Sequence, residues 1–385
     1  MKKVEIVIGA NYGDEGKGLL TRHFVRNALY NHEHPIVVLH NGTAQRGHTV
    51  DYNPHSRRVY HHFGSGTGDS VPTYFADTFW VHPAQFRKEY ADLVFSGIHP
   101  SAYCHPDARV ITIFDMLVDH ATMAWIALQN GEREYGTCGL GSWCAIESRG
   151  RDRVYPISAY LISDAHTQYL LEQTWNDCVA VLLARGVDAT QLPDFREYFE
   201  PNSLKRKQLF TNFKRDLKIF FQHVTISTFE NIYQLVDNII FESGQGLGLD
   251  KDIDNDWHTT SNTGLVNPVA ILGDRKDFSA EVCYVTRSYL TRHGVGPLEE
   301  AANKAEINAD MIDKTNVPND FQGSLRYGYL EDKAQAARIE KDWSLVQFDP
   351  RFKKEMAITH CNEFEDIYKK AKYFSNNPYS VIDRS

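Results

Sequence analysis

The run Val4-Glu5-Ile6-Val7-Ile8-Gly9 constrains this chain more than any other stretch. It is rich in β-branched residues, stops at a glycine-rich turn, and passes directly into Leu19 to Leu29, where the apolar residues recur at helical spacing. Strand, tight loop and helix in that order open a parallel α/β sheet, because a strand buried on both faces reads as one apolar run and its helix must cross back over the sheet. A second apolar run, Ile36 to Leu39, leads into Asn41-Gly42 and Gly47-His48-Thr49. In a parallel sheet that loop arrives beside the first. Arg109 to Ile113, Asn238 to Phe241, Val282 to Thr286 and Met356 to Thr359 read as further strands. Ile157 to Arg185 and Leu204 to Val236 read as long amphipathic helices, broken at Pro193 and Pro201. Glu299 to Asp320 reads as a polar surface insertion or mobile loop, and the tail after Asn376 as loop. The expected architecture is α/β: one domain over residues 1–385, a large, mostly parallel central sheet flanked by helices, and a helical insertion at about 157–236.

Composition narrows the partners. With 42% hydrophobic and 24% charged residues over 385 positions, the chain is of ordinary globular type, which excludes disordered and collagen-like classes. The 41 basic residues against 50 acidic give a net charge of -9, the wrong sign for wrapping nucleic acid, so an anionic substrate needs a local basic pocket. VEIVIGA is too short for a signal sequence, and no stretch approaches a membrane span. The six cysteines are scattered, with neither CxxC nor paired Cys/His spacing. Reduced thiols and a cytoplasmic location are expected, with no nucleic acid or membrane partner.

The chemistry concentrates in loops. Gly13-Asp14-Glu15-Gly16-Lys17-Gly18 lies between strand and helix, where backbone amides and a helix N-terminus favour a phosphate. It is not a Walker loop, because Gly18 stands where Ser or Thr would hold magnesium; Asp14 is then the natural supplier of a hard oxygen. Gln45-Arg46-Gly47-His48-Thr49 follows the second strand, with a histidine suited to stabilising a transferring phosphoryl group. Phe241-Glu242-Ser243-Gly244-Gln245-Gly246 and Thr259-Thr260-Ser261-Asn262-Thr263 supply amides and hydroxyls that read a purine edge or a phosphate without adding charge.

Several of these motifs, in one order, resemble the adenylosuccinate synthetase family. The family's GDEGKGK, GHNAGHT, IGTTGRGIGP, FEGAQG with TSSNT, and VTRAYTTRVGAGP stand here as GDEGKGL (13–19), TAQRGHT (43–49), YGTCGLGS (135–142), FESGQG (241–246) with TTSNT (259–263), and VTRSYLTRHGVGP (285–297). The likeness runs in colinear order over roughly residues 4–365, and the chain resembles a divergent, phage-like member related to the diaminopurine-forming branch. It implies the synthetase fold, with P-loop-like nucleotide binding. It also implies an enzyme that uses a nucleoside triphosphate and magnesium to phosphorylate the 6-oxygen of a purine mononucleotide, then lets L-aspartate displace the phosphate. By resemblance Asp14 is the base that removes the N1 proton and a metal ligand, and His48 meets the 6-oxygen and the γ-phosphoryl group. The Gly47 carbonyl is a second metal contact, and Lys17 binds phosphate together with Gly13, Glu15, Gly16, Gly18 and Thr49. Gln245, Thr259 and Thr137 contact the mononucleotide, and a dimer is the family's default.

The departures fall at the ends of the site. Cys138 replaces a threonine that holds the monophosphate, and Arg149 is the nearest candidate for the arginine that reaches this pocket from a partner subunit, with Arg151 and Arg153 behind it. The family's amino-acid loop, ATTGRRRRTGWLD, stands here as Gln322-Gly323-Ser324-Leu325-Arg326-Tyr327-Gly328, within a mobile amino-acid-binding loop expected at about 299–330. Arg326 and Ser324 remain to grip carboxylates, and either an amino acid other than aspartate is used or Arg292 or Arg287 completes the site. The donor-reading TKLD becomes Thr359-His360-Cys361-Asn362, which loosens the choice between GTP and ATP.

Three functions follow from the resemblance. The first is a synthetase acting on IMP. The second is a variant ligase acting on GMP or dGMP to give a succino-2-aminoadenylate. In the phage enzymes of that branch a small residue replaces the catalytic aspartate, whereas Asp14 is retained here. The third is a nucleotide-binding regulatory protein without ligase activity, against which the intact Asp14 and His48 argue.

Overall fold

A computed structural model of the chain describes residues 1–131, 138–251, 262–294, 296–311, 323–363 and 371–384. In chain order the first half contains β1 (Lys2–Gly9), α1 (Lys17–Tyr30), β2 (Pro35–Leu39), β3 (His48–Asn53), β4 (Ser56–Tyr60), β5 (Thr73–Phe75), β6 (Trp80–Val81), α2 (Pro83–Phe95), β7 (Ala102–Cys104), β8 (Arg109–Val110), α3 (Ile113–Asn130), α4 (Asp164–Ala184) and α5 (Arg196–Phe199). There follow α6 (Leu204–His223), β9 (Val224–Ile226), α7 (Phe229–Leu235), β10 (Asn238–Gly246), α8 (Val266–Leu272), β11 (Phe278–Arg287), β12 (Leu290–Arg292), β13 (Ala301–Ala302), α9 (Lys304–Asn308), β14 (Arg326–Gly328), α10 (Asp332–Trp343), β15 (Phe352–Thr359), β16 (Tyr373–Phe374) and β17 (Ile382–Asp383).

Ten strands form one sheet in the order β17-β16-β15-β11-β1-β10-β2-β5-β7-β9. Every neighbouring pair is parallel except β16 with β17. The first apolar run is therefore the middle of the sheet. Val4, Ile6 and Ile8 face a core that also holds Ile36, Val38, Phe241 and Leu272, while Val7 faces the opposite core with Leu20, Phe24 and Val37. Fully burying side chains of this size contributes about 1.5–3 kcal/mol each, which fixes the register of β1. Glu5 interrupts the run yet is buried, its carboxylate 2.9 Å from Lys3 Nζ and 3.5 Å from Asn238 Nδ2.

Three expectations need correction. Arg109 to Ile113 is not a strand of the main sheet: only Arg109–Val110 is extended, pairing with Trp80–Val81, and Ile113 begins α3, capped by Thr112 and Asp115. Ile157 to Arg185 is not one helix but a short 3-10 turn, Ile157–Leu161, followed by α4 from the Ser163 cap. Leu204 to Val236 is divided by β9, where Val224, Thr225 and Ile226 are three β-branched residues that favour the sheet edge. No helix among the described residues is long and apolar enough to cross a membrane.

Candidate active site

Because β1, β2, β10, β11 and β15 run parallel, their following loops all emerge along one edge, and together they line a cavity of about 700 Å³. In the loop after β1, Gly13 and Gly16 take positive φ of 96° and 82°, and Asp14 joins them at 56°, a conformation uncommon for a residue with a side chain. Gly16 also cannot bear a Cβ, which would lie 2.7 Å from Thr359 Cγ2. The loop is braced from far along the chain. Arg287 Nε donates to the Asp14 carbonyl, and Thr359 Oγ1 donates to the Glu15 carbonyl at 3.0 Å. Asp14 is thereby held with its carboxylate at the cavity wall, where His293 Nε2 approaches Oδ2 at 3.4 Å.

Glu15 plays a different part from the one expected of a phosphate-binding residue. Its carboxylate turns back to accept the amides of Asn11 at 2.5 Å and Gly13 at 3.3 Å, so it shapes the loop. Burial raises its pKa to about 7, opposed by Lys17 and by those two amides. Lys17, also buried, sits in the first turn of α1 and, with Gly18, lines the cavity.

The loop after β2 and the start of β3 bring Gly47, His48 and Thr49 to the same cavity. His48 is almost fully buried, with Nδ1 2.9 Å from Glu242 Oε1. Burial lowers the pKa of His48, and the Glu242 carboxylate works against that. Glu242 is held well below the usual carboxylate range: its own burial, which would raise it, is outweighed by His48, Arg46 and Ser65. Gln245 lines the cavity from the end of β10, its amide donating to the Leu249 carbonyl at 3.0 Å. Cys138 also lines it, and burial pushes its thiol up to about 12, so the group there is a neutral, weak donor. Thr137 and Thr259 lie outside the described residues.

Thr359, His360 and Asn362 close one end of the cavity, and Ser375, Asn377, Pro378 and Tyr379 close it from the C-terminal tail. Sequence reading left those four tail residues unassigned, since no motif marks them. Arg287 is committed to the first loop and to Tyr289 Oη at 2.8 Å, and is not placed to complete an amino-acid clamp. Arg292 instead lies directly opposite Arg326 in the β12–β14 ladder. Ser324, shortly before β14, is exposed. Arg149 is not brought to the cavity. It is buried on the helical side, bonded to Asp115 Oδ1 at 2.9 Å and to the Arg153 carbonyl at 2.8 Å. Arg151 and Arg153 remain exposed there.

An open, mostly parallel sheet whose strand-following loops gather a glycine-rich turn, an acid and a histidine around one cavity defines an open-sheet α/β protein with its candidate site at the C-terminal edge of the strands. The adenylosuccinate synthetase family model matches residues 6–317, and the chain belongs to that family. An adenylosuccinate synthetase of Stenotrophomonas maltophilia is 26% identical over 298 residues, 76% of this chain and 64% of that protein. One of Clostridium botulinum is 24% identical over 299 residues, with the same coverage. The chain thus spans a little under two thirds of the curated relatives it matches. Among solved structures, a fully ligated Plasmodium falciparum adenylosuccinate synthetase superposes with a TM-score of 0.69 at 17% identity, covering 94% of this chain and 78% of that one. The cyanophage S-2L succinoaminodeoxyadenylate synthetase, bound to dGMP and to dATP as an energy donor, gives 0.64 at 14%, covering 100% and 95%.

Proposed function

We propose that the chain is a purine nucleotide ligase that forms a C–N bond: it phosphorylates the 6-oxygen of a purine mononucleotide, IMP in the first instance, and lets L-aspartate displace the phosphate to give adenylosuccinate. The observation that carries this reading is Asp14, braced in a left-handed conformation at the wall of the cavity that His48 and Gln245 also line. In this scheme Asp14 takes the N1 proton, O6 attacks the γ-phosphorus, and the donor leaves as its diphosphate. His48 donates to the oxygens on which charge develops, an interaction strongest in the transition state. The aspartate amine then attacks C6 and inorganic phosphate departs with O6. Lys17 and the amides at the start of α1 hold the donor phosphates, while Arg292 and Arg326 hold the aspartate carboxylates.

The Asp14 carboxylate and the Gly47 carbonyl, hard oxygens on the same cavity, suit magnesium, which when bound screens the phosphate charge. Asn362 and His360 at the donor end, in place of the family's Asp and Lys, support a donor site open to ATP as well as GTP. A cytoplasmic homodimer fits the family pattern; Arg151 or Arg153, rather than Arg149, is then the residue to reach a partner's monophosphate pocket. The second reading, a ligase for GMP or dGMP, is favoured by Cys138 and Asn362, which alter the monophosphate and donor ends. Incubation with magnesium, aspartate, each of IMP, GMP and dGMP, and each of ATP and GTP, followed by phosphate release and product mass, tests both. IMP-dependent phosphate release with a succinylated product is expected; absence of any succinylated nucleotide overturns the ligase reading.

A further inference from the structure

Arg46 stands where the family's GHNAGHT motif has alanine, and its guanidinium is enclosed, 1% exposed. Its Nε donates to the His61 carbonyl at 2.9 Å, and its Nη2 donates to the Phe63 carbonyl at 3.0 Å and to Glu242 Oε2 at 3.2 Å. Glu242, with no exposed side-chain surface, receives the Ser65 amide on Oε2 at 3.2 Å and the Ser65 hydroxyl on Oε1. That same Oε1 lies 2.9 Å from His48 Nδ1, at a hydrogen-bond distance but off a straight line.

Stability does not account for Arg46. Arg46 Nη1 is buried without a hydrogen-bond partner among the described residues, and a buried guanidinium that is only partly satisfied is costly compared with an alanine. What the arginine does achieve is geometric. A buried carboxylate whose oxygens are claimed from fixed directions has one place to be, and so does the ring it faces.

We propose that Arg46 and Glu242 are positioning residues for His48. Glu242 fixes the imidazole with Nδ1 inward and Nε2 toward the cavity, and Arg46 with Ser65 fixes Glu242. Arg46 also lines the cavity, but its guanidinium is turned inward to Glu242, and in this proposal both residues act through the ring. The proposal rests on the reading above, in which His48 meets the transferring phosphoryl group, and it adds a chain-specific support for that residue.

A double-mutant cycle tests it, with kcat and KM measured for wild type, Arg46→Ala, His48→Ala and the double variant on the substrate pair that turns over, alongside thermal melts. Arg46→Ala is expected to lower kcat roughly tenfold to a hundredfold, with nucleotide KM within about threefold, and to add nothing once His48 is gone. Losses that multiply, or a loss confined to KM, overturn the proposal. Should Arg46→Ala fail to fold, Ser65→Ala removes another Glu242 donor and enters the same cycle. Nitrogen-15 NMR of the histidine rings, with His48→Ala as the assignment control, reads the geometry without turnover. In wild type, Nδ1 is expected to carry a proton held toward Glu242, with a second proton on Nε2 when the nucleotides are bound and that nitrogen donates, and the Nδ1 signal is expected to shift in Arg46→Ala; an unchanged ring spectrum overturns the proposal. If His48→Ala keeps full turnover, the role given to His48 fails, while the ring spectra still decide whether Arg46 fixes it.

Discussion

Arg292 and Arg326 face each other in register across the β12–β14 ladder, two like charges at directly opposed positions of an antiparallel pair. Such pairs repel, and here burial adds to the cost: Arg326 Nε and Nη2 are enclosed without hydrogen-bond partners among the described residues. Burial, and after it the Tyr12 hydroxyl and the Arg326 charge, act on Arg292, with a net lowering of its pKa. Arg292 also lies 4.8 Å over the Tyr12 ring, beside the first loop. A ligand carrying two carboxylates relieves this arrangement. Arg326→Leu should raise the aspartate KM about tenfold to a hundredfold, the worth of one charge-assisted contact, and leave the IMP KM within about twofold. Its unliganded melting temperature should hold or rise. A parallel rise in the IMP KM would place Arg326 at another subsite.

Asp14→Asn is the clean probe of the base, because asparagine tolerates the left-handed backbone that Asp14 adopts. Turnover should fall by about 10³ or more while the melting temperature moves by only about 2 °C. Retention of more than a tenth of wild-type turnover would sink the assignment.

Asn362→Asp restores a charged acceptor at the donor end of the cavity. The ratio of kcat/KM for GTP over ATP should rise roughly tenfold to a hundredfold, more so with His360→Lys. An unchanged ratio would mean that the Thr359–Asn362 turn does not read the donor base.

Buried carboxyls should contribute stability that declines as pH rises from about 4.5 to 7, while the buried histidines His40, His62 and His82, whose pKa values burial lowers, work in the opposite sense. Burial is the largest influence on three carboxyls, Glu5 and Glu15 raised to about 7 and Asp342 raised to about 6. Within that window each is protonated in the folded chain and ionised in the unfolded one. At these carboxyls the folded state binds more protons, and the stability they contribute below the unfolded pKa is lost as pH climbs through the folded one. Glu5→Gln should remove one such contribution, so that the melting temperature of the variant relative to wild type rises by roughly 2–4 °C between pH 5 and 8. An identical slope in wild type and variant would assign the pH response to other groups.

The loops that build the site were legible because each follows an apolar run long enough to read: Val4 to Gly9, Ile36 to Leu39, Asn238 to Phe241, Val282 to Thr286 and Met356 to Thr359. Thr73–Phe75, Ala102–Cys104 and Val224–Ile226 extend the same sheet but hold three residues each, too few for a period to show. Glu242 passed as one letter of a motif, although a lone carboxylate closing an apolar strand is itself a sign of a buried partner. Arg149 illustrates the converse, since proximity to a motif in sequence carried no information about Asp115, which holds it in the helical layer.

The place of β1 in the sheet has a consequence for the synthesis of the chain. Lys3 pairs with Asn238 and Val4 with Ala280, so β1 leaves the ribosome without either sheet neighbour until more than 200 further residues have followed. At ordinary elongation rates that interval is on the order of ten to fifty seconds. Throughout it the strand is exposed and open to aggregation or chaperone capture, and the loop it carries still lacks Arg287 and Thr359, which brace it in the finished protein. Nucleotide capture by a nascent chain should therefore appear late and abruptly, once Thr359 has emerged, rather than growing with length.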